Sequence, residues 1–143
     1  MDQKDELTAH EEIRNLVGRY CDAIARMDLD AVAASWAPDG VWTVFGEDVE
    51  GRSAILATFR ELTSRVTWVV QHASSSWIEV SDASGEGVWQ IVEYGQQRGE
   101  DGPGAGLIHV GRYVDRYAQI DGEWRFAARS FHTLYFGSLA LGR

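Results

Sequence analysis

The sequence predicts an α+β fold in which helices come first and a sheet of long antiparallel strands follows. Apolar residues recur at helical spacing between Ile13 and Leu62. From Val66 to Phe136 the chain is instead rich in β-branched and aromatic residues, with turn signals between the runs. Helices segregated from a meandering sheet define the α+β class. A sheet of long strands folded over a long N-terminal helix is expected to enclose a cavity.

Three helices are predicted. Thr8 and Glu11 form a capping box for the first helix, which ends near Met27. Asp28 is expected to cap a short second helix, and Ser53 a third. Residues 37–40 are predicted to form a turn after the second helix. The apolar stripe of the first helix consists of Ile13, Leu16, Val17, Tyr20, Cys21, Ile24 and Met27.

Five strands are predicted from β-rich runs bounded by turn residues: 41–45, 66–80, 87–97, 107–120 and 123–136. The three serines Ser74, Ser75 and Ser76 are expected to mark a bulge or bend in the second of these strands. Residues 98–106 are predicted to form a glycine-rich loop, and Asp121-Gly122 a hairpin turn.

Composition places the chain among ordinary globular domains. It has 143 residues, of which 45% are hydrophobic and 24% charged, which predicts one domain over residues 1–143 with a core at about 7–136. The net charge of -9 and the lack of a Lys/Arg cluster argue against nucleic acid and membrane surfaces as partners. The single cysteine, the acidic N-terminus and the lack of a long apolar run predict a cytoplasmic protein.

Several chemistries find no support in the sequence. The only lysine, Lys4, lies near a terminus, which disfavours a Schiff-base mechanism. Cys21 belongs to an apolar helix stripe and has no neighbouring histidine in the sequence, so a nucleophilic thiol is not expected. No metal-ligand spacing relates the four histidines His10, His72, His109 and His132. We therefore expect neither a metal nor another cofactor.

Two stretches of the chain resemble the SnoaL-like branch of the nuclear transport factor 2-like superfamily. The first runs Ile13-x-x-Leu16-x-x-x-Tyr20, Asp28-Leu29-Asp30, Trp36 and Pro38-Asp39-Gly40-Val41-Trp42. The second is the last hairpin, Tyr117-x-x-x-Asp121-Gly122-x-Trp124-x-Phe126. The resemblance implies a cone-shaped barrel in which N-terminal helices pack on a curved, mostly antiparallel sheet that encloses a cavity. It also implies a homodimer or homotrimer.

The same branch includes scytalone dehydratase and hexachlorocyclohexane dehydrochlorinase, and its fold hosts many activities. In those enzymes a histidine on the strand after the third helix faces the cavity, which implies that role for His72. Its aspartate partner falls, by count, at Ala25. Asp22, on roughly the same helix face, is then the candidate partner, with Glu93 as the alternative acid. The other interpretations are a core histidine at His72 and an ion-paired surface carboxylate at Asp22.

Arg129 lies among small and apolar residues of the last strand, so it is either a ligand clamp or half of a buried ion pair. Strand alternation puts His109 and Tyr113 on one face. A carboxylate such as Glu93 would have a raised pKa inside an aromatic cavity, unless it is a surface charge or a partner of Arg129. The candidate substrate-binding residues are Tyr20, Trp42, Trp89, Glu93, Gln97, Tyr113, Phe131 and Thr133.

The expected function is a small cofactor-independent lyase, dehydratase, isomerase or cyclase. His72 would move the proton, with Asp22 as its partner, while Arg129 and Tyr113 stabilise a developing oxyanion. The substrate would be compact, apolar and aromatic or polycyclic. The alternative is a non-catalytic module that binds a small ligand or serves assembly, which the apolar residue Ala25 favours.

Overall fold

The computed structural model describes residues 1–141, and these form helices followed by one sheet. The elements in chain order are α1 (Gln3–Ala25), α2 (Leu29–Ala34), β1 (Trp36–Val44), β2 (Glu47–Glu50), α3 (Arg52–Ser64), β3 (Val66–Ser81), β4 (Ser84–Gly99), β5 (Gly102–Ile120) and β6 (Glu123–Leu139). The α+β prediction is confirmed. No helix within residues 1–141 has the length and apolar character needed to cross a membrane.

The strands form a single curved, unclosed sheet in the order β2-β1-β6-β5-β4-β3. All neighbouring strands are antiparallel except β1 and β6, which run parallel with Trp42 opposite Arg129. Helix α1 packs across the sheet against β3 and β6, and α3 packs against β1 and β3. Within residues 1–141, α1 and α3 therefore cover one face of the sheet.

Helix α1 begins earlier than the sequence predicts. The Asp2 side chain accepts a hydrogen bond of 2.8 Å from the backbone N–H of Asp5, so Asp2 caps the helix. The predicted capping box is wrong, because the hydroxyl of Thr8 donates to the backbone carbonyl of Lys4 within the helix. The predicted apolar stripe is nevertheless the buried face as far as Ile24, with Ile13 and Tyr20 fully buried. Cys21 is half-buried, and Met27 lies beyond the end of the helix.

The starts of the other two helices differ in their chemistry. Asp28 caps α2 as predicted, since its carboxylate accepts from the backbone N–H of Ala31 at 3.1 Å. The predicted cap at Ser53 is wrong, because α3 begins at Arg52 directly after Gly51, which has a φ of 88° and provides no side-chain cap. The predicted turn at residues 37–40 is also wrong: it lies inside β1, where the register with β6 shifts.

The strands are longer than predicted. Strands β4 and β5 continue into residues 98–106, so most of the predicted loop there is hairpin, and Arg98 pairs with Pro103. Strand β2 was not predicted, since its acidic sequence lacks β-rich character. It pairs with β1 across the turn at Phe45 and Gly46, which have φ values of 51° and 75°.

Two predicted local features of the sheet are confirmed. The register of β3 with β4 shifts between Ser74 and Trp77, and Ser75 has a φ of 50°. Asp121 and Gly122 connect β5 and β6 with φ values of 51° and 80°, as a two-residue hairpin turn of the primed type requires. These local signals therefore set the bend in β3 and the pairing of the last hairpin.

A fully buried ion pair joins β5 and β6. Arg129 donates two hydrogen bonds to Asp115, Nε to Oδ1 at 2.8 Å and Nη2 to Oδ2 at 3.1 Å. The hydroxyl of Tyr117 donates to Asp115 Oδ2 at 2.8 Å, and the guanidinium lies 3.8 Å from the ring centroid of Tyr113 and 4.2 Å from that of Phe126. Burial alone would lower the pKa of Arg129, but the Asp115 carboxylate raises it, so Arg129 stays charged.

Removing the carboxylate should be costly because it leaves a buried, unpaired guanidinium. We expect Asp115→Ala to lower the free energy of unfolding by about 3–5 kcal/mol, measured by urea titration. The control Asp22→Ala removes the exposed partner of Arg26 and should leave stability close to that of the wild type. Equal effects of the two variants would contradict a structural role for the buried pair.

Candidate active site

A cavity of about 400 Å³ lies between the sheet, α1 and α3. Its walls are mostly aromatic and aliphatic, while its polar side chains lie chiefly on β3, β4 and β5. The lining residues are Ile24, Trp42, Val44, Phe45, Phe59, Leu62, Thr63, Arg65, Val66, Val69, Gln71, Glu93, Gln97, Leu107, His109, Tyr113, Phe131 and Phe136. An apolar cleft with a few convergent polar groups is typical of a small-molecule site.

Three polar side chains stand in one row across the sheet, which we call the polar row: Gln71, Glu93 and His109. Gln71 is the direct partner of Glu93 between β3 and β4, and Glu93 is the direct partner of His109 between β4 and β5. Directly opposed residues have Cβ atoms about 4.5–5.5 Å apart on one face of the sheet. The strand register therefore brings together residues that are far apart in the sequence.

Glu93 is a carboxyl group in largely apolar surroundings. Burial raises the pKa of Glu93, and a hydrogen bond from Gln71 Nε2 to Glu93 Oε2 of 2.7 Å partly opposes this shift. Within the described part of the chain, no ion pair forms between Glu93 and a basic side chain. Burial therefore favours the protonated form of Glu93, which can donate a proton.

His109 is almost completely buried, with 5% of its surface exposed. Its ring stacks parallel to Phe45 at 5.2 Å and lies against Phe131 at 4.4 Å. Its Nε2 is 2.7 Å from the hydroxyl oxygen of Thr133. Burial lowers the pKa of His109, so the ring is neutral at pH 7 and available as a proton acceptor.

Tyr113 connects the cavity to the buried ion pair. Its hydroxyl accepts a hydrogen bond from Trp42 Nε1 at 3.2 Å, which leaves its own proton free to donate. Its ring stacks on the Arg129 guanidinium. Burial raises the pKa of Tyr113, and the positive charge of Arg129 opposes this shift. Tyr113 is thus an O–H donor with a fixed cation directly behind it.

The structure divides the predicted substrate-binding residues into two groups. Tyr20 and Trp89 lie behind the wall, where Tyr20 packs on Phe126 and Trp89 donates to the hydroxyl of Tyr117 at 2.9 Å. Thr133 lies outside the cavity and reaches it only through His109. The predicted residues that do line the cavity are Trp42, Glu93, Gln97, Tyr113 and Phe131.

The prediction that His72 faces the cavity is wrong. His72 is exposed on the opposite face of the sheet, with its ring centroid 6.2 Å from that of Tyr94, and its neighbour Gln71 lines the cavity instead. Adjacent strand residues point to opposite faces, so an error of one residue in phase reverses the assignment. The alternative of a core histidine is wrong as well.

The predicted helix partners of the histidine are also outside the cavity. Asp22 is exposed and accepts a hydrogen bond of 2.9 Å from Arg26, which confirms the ion-paired alternative. Ala25 is exposed too, and Ile24 is the residue of α1 that lines the cavity. Arg129 is half of a buried ion pair and does not line the cavity.

Sequence reasoning did not assign His109 or Gln71 to the site. The alternation of β5 does place His109 on the same face as Tyr113, a predicted substrate-binding residue, so the sequence did indicate that His109 faces the cavity. What the sequence lacks is the register that sets Glu93 opposite His109 and Gln71 opposite Glu93.

Comparison with protein families now identifies the fold. A profile described as the SnoaL-like domain matches residues 5–130. The chain belongs to the SnoaL-like family. This confirms the resemblance seen in the sequence. A search of curated proteins gives no match.

Solved structures share the same architecture. A proposed scytalone dehydratase from Novosphingobium aromaticivorans superposes with a TM-score of 0.84 at 19% identity, covering 95% of this chain and 91% of that one. A hexachlorocyclohexane dehydrochlorinase from Novosphingobium barchaimii gives 0.81 at 21%, covering 94% and 92%. A Mycobacterium tuberculosis protein of unknown function gives 0.78 at 24%, covering 90% and 77%. Similarity at these identities establishes the fold.

The raised pKa of Glu93 has a consequence for stability. The folded state disfavours the Glu93 carboxylate, so ionising Glu93 lowers the free energy of unfolding. This loss of stability is absent below about pH 4 and grows as the pH rises through the raised pKa. We expect Glu93→Gln to be more stable than the wild type at pH 8, with the gain disappearing at pH 4, as measured by urea unfolding at both values. A variant that is less stable at pH 8 would show that the carboxylate is not disfavoured by the cavity.

Proposed function

We propose that this SnoaL-like protein is a small enzyme of the lyase, dehydratase or isomerase type that transfers protons in the cavity, without a cofactor. The observation that carries the proposal is the pairing of Glu93 with His109 across β4 and β5, both facing one apolar cavity. Burial shifts the pKa of each group toward its neutral form. Matched neutral acid and base groups are what proton transfer near pH 7 requires.

In this mechanism His109 removes a proton from an activated carbon of the substrate. Glu93 then gives its proton to the leaving group in an elimination, or returns one to a different carbon in an isomerisation. Tyr113 donates a hydrogen bond to the oxygen on which negative charge develops, and the Arg129 cation behind its ring favours that charge. His109 and Glu93 are not hydrogen-bonded to each other in the described residues, which supports a substrate lying between them.

The cavity favours a compact apolar substrate with an aromatic or polycyclic ring system. Trp42 stacks on Phe59 at 4.3 Å, and together with Phe131 these rings form flat walls. A volume of about 400 Å³ is suited to a ligand of roughly two or three fused rings. The apolar walls exclude water, which strengthens the interactions of the polar row with the substrate.

We also propose that the chain forms a homodimer or homotrimer in the cytoplasm. Large apolar side chains are exposed on the strands, including Trp77 at 49% and Leu134 at 82%. A second copy would cover such residues. A clean monomer in sedimentation at micromolar concentration would contradict the assembly. The single cysteine, Cys21, suits a reducing compartment.

The second candidate function is a non-catalytic module that binds a small ligand in the same cavity. The observation that favours it is that α1 contributes only apolar Ile24 to the wall and no carboxylate, within the residues described. Ligand binding without any turnover would distinguish this function from the enzymatic one.

The enzymatic proposal can be tested with 5-nitrobenzisoxazole, a flat bicyclic probe that opens to a coloured nitrophenolate when a base removes its C–H proton. We expect the wild type to accelerate this reaction over free imidazole. His109→Ala should lower kcat/KM by about 10²-fold, the lower end of what a general base contributes.

Two controls separate this site from the one predicted by sequence. His72→Ala and Asp22→Asn should retain wild-type turnover of the probe, because both residues lie outside the cavity. A loss in His72→Ala equal to that in His109→Ala would overturn the proposed site. Binding of the probe without acceleration would favour the binding module.

A further inference from the structure

Thr133 links His109 to solvent. Its Oγ1 is 2.7 Å from His109 Nε2, and Thr133 itself is exposed and does not line the cavity. The rest of the imidazole is packed by aromatic rings, with Phe45 stacked at 5.2 Å and Phe136 edge-on at 4.9 Å. The hydroxyl of Thr133 is therefore a polar connection between the buried ring and the exterior.

A proton taken up by His109 creates an electrostatic problem. No carboxylate forms an ion pair with His109 in the part of the chain that the structure describes. The titratable groups nearby are Glu93 from β4 and Tyr113 from β5 itself, while the contacts from β6 and from the β1–β2 turn are Thr133 and phenyl rings. An imidazolium in this position is costly, because a buried charge needs a partner.

We propose that Thr133 is a positioning residue and proton relay, which lets His109 alternate between its two neutral tautomers without holding an extra proton. This inference rests on the proposed function. A threonine hydroxyl suits the role because it both donates and accepts a hydrogen bond. The Nδ1 atom of His109 makes no hydrogen bond within residues 1–141, so it is the nitrogen left for the substrate.

The proton balance closes over one cycle. In the first step the C–H bond of the substrate breaks and its proton bonds to Nδ1, while the Nε2–H proton passes to Thr133 Oγ1 and the original hydroxyl proton leaves to water. In the second step Glu93 gives its proton to the leaving group or to another carbon, and Nδ1–H then returns a proton to the Glu93 carboxylate, its direct partner across β4 and β5. Nε2 then takes a proton from the Thr133 hydroxyl, which regains one from water.

Valine and serine provide matched substitutions. Thr133→Val has nearly the same shape but no hydroxyl, while Thr133→Ser keeps the hydroxyl. Thr67→Val is the control, because Thr67 is also an exposed strand threonine, bonded at 3.3 Å to the backbone carbonyl of Gln96 and remote from His109. The first measurement is the rate at which the His109 ring N–H exchanges with water, observed by NMR in the full chain.

We expect Thr133→Val to slow this exchange about tenfold or more, and Thr133→Ser and Thr67→Val to leave it near the wild-type rate. The second measurement is turnover of 5-nitrobenzisoxazole, where Thr133→Val should lower kcat about tenfold with little change in KM. This loss is smaller than the roughly 10²–10⁴-fold contribution of a complete general base. Rescue by serine would distinguish a relay from packing.

These measurements test the relay and the proposed function separately. Unchanged N–H exchange in Thr133→Val overturns the relay, even if the wild type converts the probe. So does a loss of turnover that serine fails to restore. If the wild type does not convert the probe, the proposed function fails, while the exchange rates still report whether Thr133 carries protons to and from His109.

Discussion

The buried ion pair between Asp115 and Arg129 is the interaction on which the geometry of the site depends. These two residues are direct partners across β5 and β6, so their bidentate contact fixes the register of the two strands. A slip of one residue would turn the guanidinium to the outer face and expose the cavity-lining side chains. The same register places Phe131 opposite Tyr113. The arginine thus shapes the cavity without lining it.

The cavity combines this fixed strand register with an unusual electrostatic state of two titratable side chains, Glu93 and His109. Among residues 1–141, neither Glu93 nor His109 is paired with an opposite charge, and burial moves both toward their neutral forms. Such an arrangement lowers stability, since ionisable groups in apolar surroundings oppose folding at some pH. Groups of this kind are typical of functional sites. This electrostatic state of Glu93 and His109 supports the acid–base function that we propose.

Much of the fold could be predicted from local signals. The apolar stripe of α1, the cap at Asp28 and the hairpin turn at Asp121-Gly122 all depend on residues close together in the chain, and each was predicted correctly. The start of α1 was missed because Asp2 competes with Thr8 as the cap. Strand β2 was missed because it forms through pairing with β1 rather than through its own propensity.

The site was harder to predict because its residues are far apart in the sequence and are brought together by the strand register. Alternation correctly grouped Glu93 with Gln97 and His109 with Tyr113, but it could not decide which of Gln71 and His72 faces inward. That choice depends on pairing with β4, where Gln71 meets Glu93. Counting residues placed the relatives' aspartate at Ala25 and their histidine at His72, and both positions lie outside the cavity. A shift of one position is enough to change the face of a helix or strand.

The most direct test of the central claim is a titration of the chain with 2-naphthol, followed through the side-chain NMR signals of its four histidines. Our account predicts that the signal of His109 shifts on binding, while those of His10, His72 and His132 stay in place. It would be contradicted by a shift of the His72 signal with His109 unchanged, because the ligand would then bind on the outer face of the sheet.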